Sequence, residues 1–399
     1  MRSTQAATAA ASRITRIRDA LGRADLAAIV CTLPSNVLLV SGYWPVVGPA
    51  CAVVWQTGPT LLMVPLDERA AARRGWADEV RILTESSDAD TGSRTLVSWL
   101  AAAARQWGGR RIGVEHGPAC EPASYAGMCL YGSRLWEAVR AAWPDADLVP
   151  VDPMLADLRA TKTGAEIARI RTACRIAEVG FAAGARALRP GRTERQIAAQ
   201  VRTRFSTSAG RAVGRADGFA FCMSGKNAAE AYRAYARSTA KRIAPGELVL
   251  VHANSYVDGY WTDITRTYCM GWPDHRQRAL YDAIFEARRA ALDAIKPGVA
   301  GQAVDAAARQ MLESRGLGAA FRHSAGHGVG FSAISHDARP RLARNSTDVL
   351  QAGMVCNVEP AIYLDGYGGI RHCDVVEVTG TGARVLTPFH ATLEELAVT

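Results

Sequence analysis

The sequence predicts an α/β domain followed by an α+β domain that contains an internal duplication. Short apolar strands alternate with helical segments over the first 150 residues, which is typical of an α/β domain. Long helical segments begin near residue 158, and two Pro-Gly segments in this second half lie 107 residues apart. A repeat at one fixed offset indicates that a helix, helix, hairpin unit occurs twice.

The first domain is predicted to span residues 1–155. Its first helix covers residues 13–24, where Ile14, Ile17 and Leu21 share one face. The other predicted elements are strands at 26–32, 51–55, 60–64, 80–83 and 110–114 and helices from Asp67 and around 94–107.

The second domain is predicted to span residues 156–399, after the turn-rich segment PDADLVPVD. Thr163 and Glu166 have the spacing of a helix capping box. A long helix is therefore predicted to begin there.

Two Pro-Gly connections carry the internal repeat. LRPGRTERQIAAQV at 188–201 and IKPGVAGQAVDAAA at 295–308 each join one long helix to the next. The same offset of 107 aligns further pairs, namely Gly246 with Gly353, Val251 with Val358, His252 with Glu359 and Gly259 with Gly366. We infer two halves related by a pseudo-twofold axis, with His252 and Glu359 close to that axis.

The stretch Pro245 to Gly271 is predicted to form a hairpin that carries several polar residues. An apolar run indicates a buried strand, Asp258-Gly259 indicates a turn, and residues 263–268 indicate the return strand. On paired strands, His252 and Asp263 can share one face, where an imidazole and a carboxylate can hold a metal ion or a proton. The alternative is a solvated antiparallel hairpin in which Asp263 is incidental.

Composition excludes several classes of function. With 399 residues, 49% hydrophobic residues and a mean hydropathy of -0.03, the chain is predicted to be soluble and globular. The formal net charge of +9 comes almost wholly from Arg, since Lys occurs at only four positions. The Arg runs lack regularly spaced aromatic partners, so no nucleic-acid partner is expected.

Export and membrane insertion are not expected either. The N-terminal MRSTQAATAAAS lacks the apolar core of a secretory signal, and no apolar run reaches the length of a membrane span. Nine cysteines occur without a C-x-x-C spacing, and most lie in apolar runs. They are predicted to be buried, reduced thiols of a cytoplasmic protein.

Three histidines, His323, His327 and His336, lie within the fourteen residues HSAGHGVGFSAISH. Glycines flank His327, and they allow the backbone to approach a ligand closely. Further along, MVCNVEPAIY contains Glu359 and GGIRHCDVVEV contains Cys373. These residues are candidates for one functional site.

These segments resemble signatures of the creatinase, aminopeptidase P and prolidase family. DGYWTDITRT, GHGVG and NVEPAIY are similar to three of its signatures, LRATKTGAEIARIRTA is similar to its interdomain linker, and the resemblance spans nearly the whole chain. It implies a pita-bread catalytic domain preceded by a creatinase-type N-terminal α/β domain. It also implies a homodimer in which the N-terminal domain of one chain closes over the active site of the other.

The resemblance implies five metal ligands, which in the family are Asp, Asp, His, Glu and Glu in chain order. By position they fall on His252, Asp263, His327, Glu359 and Cys373. Two positions depart from the family pattern. His252 stands where the family has its first Asp, and Cys373 stands where it has the last Glu of I-R-x-E-D.

Other site residues also follow from the resemblance. The catalytic His of the family matches Tyr232 in SGKNAAEAY, which is a third departure. His323 and His336 match two family histidines that contact the substrate or the transition state, although the interval from His327 to His336 is two residues longer than usual. The residues predicted to bind substrate are Arg371 and Asn254.

The departures change the charge of the metal site. Four carboxylates carry −4 and balance two divalent ions, whereas Asp263 and Glu359 carry −2, or −3 if Cys373 is a thiolate. Because unbalanced charge in a low-dielectric cleft is costly, two tightly held ions are disfavoured. Imidazole, carboxylate and thiolate suit one Zn or Fe ion better than paired Mn, with Mn and Co as further candidates, and a metal-free site stays open.

The favoured hypothesis is a hydrolase of the Xaa-Pro peptidase family with a remodelled metal site, which cleaves a C–N bond in a small amide or dipeptide-like substrate. Tyr232, His323 and His336 would donate or accept protons. One alternative is a metal-independent, creatinase-like hydrolase or lyase that uses Cys373, His252 and Tyr232. A Cys373 nucleophile with His252 as base requires a lowered thiol pKa and hydrogen-bond reach. Another alternative is a non-catalytic binding protein on the same fold.

Overall fold

A computed structural model of the chain describes residues 4–45, 50–83, 93–115, 133–210, 213–233, 237–332 and 338–399. The chain divides into two units, Met1–Arg159 and Ala160–Thr399. The predicted domain boundary after residue 155 lies inside the helix Asp152–Ala160 and stays a prediction.

The first unit contains a six-stranded mixed sheet and helices, as the alternating pattern predicts. Its strands are β1 Ala28–Cys31, β2 Cys51–Trp55, β3 Thr60–Pro65, β4 Glu79–Leu83, β5 Arg111–Val114 and β6 Asp147–Pro150. Its helices are α1 Thr4–Arg23, α2 Pro34–Ser41, α3 Arg69–Ala72, α4 Ser93–Trp107, α5 Ser133–Ala142 and α6 Asp152–Ala160. The strand order is β4-β3-β2-β1-β5-β6, and β1 pairs with β5 in parallel and with β2 antiparallel.

The first helix is longer than predicted and buries a different set of residues. It begins at Thr4, because the Ala-rich residues before Arg13 are strong helix formers. Ile17 and Leu21 are buried as predicted, but Ile14 is half-buried. Arg13 is fully buried instead, and its guanidinium donates to the Leu158 carbonyl at 2.6 Å.

The second unit contains both copies of the repeat. Its helices are α7 Gly164–Ala187, α8 Glu194–Thr207, α9 His275–Ala294, α10 Gly301–Ser314 and α11 Leu393–Leu396. Its strands are β7 Ala216–Ser224, β8 Leu248–Val257, β9 Tyr260–Trp261, β10 Ile264–Met270, β11 Val355–Val358, β12 Ala361–Leu364, β13 Gly368–Arg371, β14 Asp374–Val378, β15 Ala383–Val385 and β16 Ala397–Val398. The sheets have the orders β16-β10-β8-β7, with β9 paired to β8, and β11-β14-β15, and β12 pairs with β13.

Local sequence signals explain how these elements begin and turn. The predicted capping box is confirmed, since the Thr163 side chain accepts from the Glu166 amide and the Glu166 carboxylate accepts from the Thr163 amide. The predicted turn is also confirmed, because Asp258 and Gly259 adopt positive φ angles of 50° and 86° between β8 and β9. Gly366 has a φ of 74° between β12 and β13, at the offset of 107 from Gly259.

The hairpin formed by β8 and β10 is buried along its whole length. Every residue of both strands is buried, so the alternative of a solvated hairpin is wrong. An isolated bridge pairs Thr265 with Cys373, which directly precedes β14. The two halves of the repeat therefore meet along β10, with Glu359 directly after β11.

The described residues bear on two further expectations, which concern membrane spans and cysteines. In that part of the chain, no helix is long and apolar enough to cross a membrane. Seven cysteines described by the structure are free thiols, and all seven are buried.

Candidate metal and catalytic site

Asp263 lies at the centre of the polar cluster on the hairpin. It precedes β10, is 2% exposed, and faces an imidazole with each carboxylate oxygen. His252 Nδ1 lies 3.6 Å from Oδ1, and His327 Nε2 lies 3.4 Å from Oδ2. Burial raises the pKa of Asp263, but these two imidazoles outweigh it and bring the pKa to about 2. Asp263 is therefore a carboxylate at neutral pH.

Cys373 meets Asp263 from the other half of the repeat. Its thiol donates to the backbone carbonyl of Asp263 at 3.2 Å, and Sγ lies 3.9 Å from Asp263 Oδ1. The ligand atoms of Asp263, Glu359 and Cys373 all lie within 4.8 Å of one another. Three predicted ligands that are up to 110 residues apart in sequence are thus brought together.

His327 is the fourth member of the cluster. Its backbone amide donates to Asn357 Oδ1 at 2.6 Å, and its Nδ1 lies 3.0 Å from the Gly328 carbonyl oxygen, which can only accept. Nε2 therefore faces Asp263 and, at 4.0 Å, Glu359 Oε1. Burial lowers the pKa of His327, but the Asp263 hydrogen bond and the two carboxylate charges raise it to about 9. Asn357 Nδ2, which can only donate, lies 3.2 Å from the same Nε2.

His252 lies in a different environment from His327. Its Nδ1 is 3.0 Å from Thr265 Oγ1, and its ring stacks on Phe221 with centroids 6.2 Å apart. Burial lowers the pKa of His252 to about 4, because the charge of Asp263 offsets only part of the effect. His252 is neutral at pH 7. Neither His252 nor His327 is among the three residues whose ligand atoms converge within 4.8 Å.

A second hydrogen-bond network joins His323 to His252. His323 Nε2 lies 2.9 Å from the Tyr363 hydroxyl, which accepts a hydrogen bond from Arg371 at 3.4 Å. Arg371 Nε donates to Thr265 Oγ1 at 2.9 Å, and Thr265 contacts His252. Sequence reasoning missed Tyr363 and Thr265. The available signal was weak: each lies a few residues after a predicted ligand within a recognised segment.

The remaining predicted site residues have different surroundings. Tyr232 packs its ring 5.6 Å from that of Tyr363, and the Arg322 guanidinium lies 4.8 Å above the Tyr232 ring. Asn254 is fully buried and donates through Nδ2 to the Thr262 carbonyl, and its role in substrate binding stays a prediction. The predicted catalytic His336 lies outside the described residues.

The requirement for a nucleophilic cysteine is not met. Burial raises the pKa of Cys373 well above its usual value, and the charges of Asp263 and Glu359 raise it further. Arg371 opposes these effects only in part. Because the reactive form of cysteine is the thiolate, Cys373 is a poor nucleophile without an ion. Its thiol hydrogen bonds to a carbonyl rather than to His252.

The donor set offers carboxylate, thiol and imidazole ligands to a divalent ion. Ligand atoms of one tetrahedral ion at about 2.0–2.3 Å lie roughly 3.3–3.8 Å apart. His327 Nε2 and Asp263 Oδ2 have such a separation at 3.4 Å, whereas His327 Nε2 and Glu359 Oε1 are 4.0 Å apart, and the ligand atoms of Asp263, Glu359 and Cys373 lie within 4.8 Å of one another. With a Cys373 thiolate the charge reaches −3, which leaves a second divalent ion unbalanced. The buried guanidinium of Arg371 adds a positive charge to the same region.

Comparison with known families agrees with this architecture. The family model of metallopeptidase family M24 matches residues 168–380, more than half of the chain. The model of the creatinase/prolidase N-terminal domain matches residues 13–161. The chain belongs to metallopeptidase family M24, and it is a hydrolase of the aminopeptidase P and prolidase branch. The predicted family and fold class are confirmed.

Individual relatives place the chain beside dipeptidases. An Xaa-Pro dipeptidase of Lactobacillus delbrueckii subsp. lactis is 33% identical over 66% of this chain and 69% of its own length. An Xaa-Pro dipeptidase of Pyrococcus furiosus is 35% identical over 59% of this chain and 66% of its own. The solved Xaa-Pro dipeptidase from Bacillus anthracis is 25% identical with a TM-score of 0.79, covering 95% of this chain and 98% of that one. Dipeptidase PepE from Mycobacterium ulcerans is 26% identical with a TM-score of 0.76, covering 98% of both chains.

Proposed function

We propose that the chain is a single-metal hydrolase that cleaves the C–N bond of a small, dipeptide-like amide. The observation that carries the proposal is the convergence of Asp263, Glu359 and Cys373 within 4.8 Å, with His327 Nε2 facing both carboxylates. These four residues would hold the ion. A divalent ion supplies Lewis-acid activation of the scissile carbonyl and of the attacking water.

The chain's own residues would orient the substrate and hold protons around the ion. His323 Nδ1 lies 2.8 Å from the Ser324 carbonyl oxygen, which can only accept, so Nδ1 carries a proton, and Nε2 lies 2.9 Å from the Tyr363 hydroxyl. The Tyr363 hydroxyl, whose pKa burial raises to about 12, stays protonated. Tyr363 therefore keeps a proton at the site, and Arg371 fixes its oxygen.

His252 is proposed to occupy the region that a second ion would need. It faces Asp263 Oδ1 while His327 faces Oδ2, so the two carboxylate oxygens have different partners. As a neutral imidazole, His252 removes the negative charge that the family's first Asp would supply. This argument supports a ligand role for His327 over one for His252.

The proposed substrate class is supported by the relatives of the chain. His252, Asp263 and Glu359 are all buried. Relatives across two thirds of the chain are Xaa-Pro dipeptidases. Xaa-Pro dipeptides are therefore the first substrates to test, beside small amides. A homodimer and a cytoplasmic location stay expectations from the family resemblance.

The role of Cys373 predicts a spectroscopic signature. Protein loaded with Co(II) is expected to bind one equivalent and to show a sulfur-to-cobalt charge-transfer band, because a coordinated thiol is deprotonated. Cys373→Ser should remove the band and weaken Co(II) binding by at least about 10-fold. Cys269→Ser is the matched control, since Cys269 lies on β10 but contacts Gln277 instead of the site. A band that survives in Cys373→Ser would contradict the ligand set.

Restoring the family's carboxylates predicts a gain of metal. His252→Asp combined with Cys373→Glu is expected to raise the Mn(II) content from one equivalent to two, because the site then carries four carboxylates. Metal content after equilibrium dialysis measures this directly. His252→Asn with Cys373→Gln is the uncharged control and should not gain an ion. Two equivalents in the wild type would show that the charge argument is wrong.

Activity assays then separate the proposed function from its alternatives. Hydrolysis of an Xaa-Pro dipeptide or small amide that is lost on chelation and recovered on reloading supports the proposal. Turnover that persists without metal and is abolished by thiol alkylation would support the Cys373 mechanism instead. Absence of turnover across the panel would support a binding protein.

A further inference from the structure

A buried ion pair on α10 lies beside the loop that carries His323. Asp305 and Arg309 are one helical turn apart, with side chains 1% and 8% exposed. Arg309 Nε and one terminal nitrogen each donate to a carboxylate oxygen of Asp305 at 2.9 Å. The pair is bidentate and largely removed from water.

The remaining hydrogen-bond capacity of the pair is directed at the backbone of this loop. Arg309 donates to the carbonyl of Phe321 at 3.1 Å and to the carbonyl of His323 at 2.9 Å. Asp305 Oδ1 accepts from the amide of Ala325 at 2.9 Å. Three alternate residues of one loop are thus fixed to one helix.

Ring contacts continue from the ion pair to the histidine. The Arg309 guanidinium lies 4.3 Å from the centroid of the Phe321 ring, and that ring meets His323 edge-on at 5.4 Å. On the far side, the Ala325 carbonyl accepts from the Glu359 amide at 2.8 Å. The loop therefore lies between the ion pair and a proposed metal ligand.

Stability alone does not account for this arrangement. Replacing a buried ion pair by apolar residues is often neutral or stabilising, because desolvation offsets the attraction. Such a pair can instead hold neighbouring groups in fixed positions. Position matters for catalysis, because a shift of about 1 Å in a catalytic group can cost about 10²-fold in rate. A guanidinium with several fixed donors holds two carbonyls and one carboxylate at once.

We propose that Asp305 and Arg309 are positioning residues that fix the loop of His323, so that its Nε2 reaches Tyr363. This inference rests on the proton-holding role proposed above for His323. Neither residue touches the proposed substrate or ion. Their effect on the reaction passes through His323.

Arg309→Lys tests the proposal, because lysine keeps the charge but loses the planar fork that reaches both carbonyls. We expect kcat for the best dipeptide to fall by about 10- to 100-fold with KM changed less than about 3-fold. In a His323→Ala background the same change should alter kcat by less than about 2-fold, since the pair then has nothing to position. Arg315→Lys is the matched control, because Arg315 binds the carboxylate of Glu286 and not the loop.

A second readout does not depend on activity. In protein labelled with ¹³C at histidine Cε1, the His323 signal is assigned by its loss in His323→Ala. It is expected to shift in Arg309→Lys and to stay unchanged in Arg315→Lys. Asp305→Asn keeps the shape of the side chain and should shift the same His323 signal. It replaces Arg309→Lys as the test if Arg309→Lys does not fold.

The two readouts separate this inference from the proposed function. A shifted His323 signal in protein without hydrolytic activity supports the positioning role and counts against the proposed reaction. An unmoved signal in both variants would overturn the positioning role whatever the activity. Equal losses of kcat in the wild-type and His323→Ala backgrounds would also overturn it, because a general structural effect is additive.

Discussion

Asp263→Asn is expected to remove both the bound ion and the hydrolytic activity. Asn preserves the shape of the side chain but removes the charge that faces His252, His327 and Cys373. Ion affinity should fall by at least about 10²-fold, and kcat/KM should fall by at least a similar factor. Metal content by mass spectrometry and initial rates on an Xaa-Pro dipeptide measure the two effects.

The same hairpin supplies a matched control for this change. Asp258 lies at the turn, where its carboxylate accepts from Arg169 and from the Arg215 amide, away from the cluster. Asp258 has a φ of 50°, which Asn tolerates well, so Asp258→Asn should keep both the ion and the activity. If Asp263→Asn retained one equivalent with unchanged kcat/KM, Asp263 would not be a ligand.

Arg266→Met is expected to cause the largest loss of stability in the second unit. Arg266 is fully buried, binds Asp374 at 2.8 Å, and donates to the backbone carbonyls of Thr265, Cys373, Thr387 and Phe389. Its loss leaves these groups without that donor and leaves a buried carboxylate partly unpaired. We expect a cost of about 3–5 kcal/mol in the free energy of unfolding, measured by urea denaturation.

The pKa of Asp374 determines how the stabilisation by the Arg266–Asp374 pair changes with pH. Burial raises the pKa of Asp374, but Arg266, His372 and Arg288 outweigh it and hold the pKa well below 3.8. The contribution of the pair is therefore complete well above the unfolded-state pKa of Asp374, and it is lost progressively as the pH falls from that value through the lower folded-state pKa. In Arg266→Met, acid unfolding should begin at a higher pH than in the wild type.

Two further variants decide whether pairing is the cause. Arg266→Met with Asp374→Leu should cost less than the sum of the single changes, because no unpaired carboxylate remains. Arg384→Met removes a partner of Glu377 from the exposed face of β15 and should cost less than about 1 kcal/mol. If Arg266→Met and Asp374→Leu each lowered the free energy of unfolding by no more than Arg384→Met does, the buried network would not stabilise the fold.

The order of elements was predictable from the sequence because its signals are local. The capping box at Thr163 depends on residues three apart, and the turn at Asp258-Gly259 depends on two residues that tolerate positive φ. The first helix was placed less well, because apolar periodicity does not register the helix propensity of the Ala-rich residues before Arg13. Periodicity also gave no sign that Arg13 itself is buried.

The sequence by itself determined the family, the succession of strands and helices and the positions at which the chain departs from the family pattern, because these depend on residue types at fixed spacings. Only the tertiary structure brought Cys373 to Asp263 across 110 residues and joined His323 to His252 through Tyr363. It alone decided that the thiol pKa is raised and that of His327 is about 9, since burial and neighbouring charge set both. A pKa depends on what surrounds a group in space, and residue spacing along the chain does not contain that information.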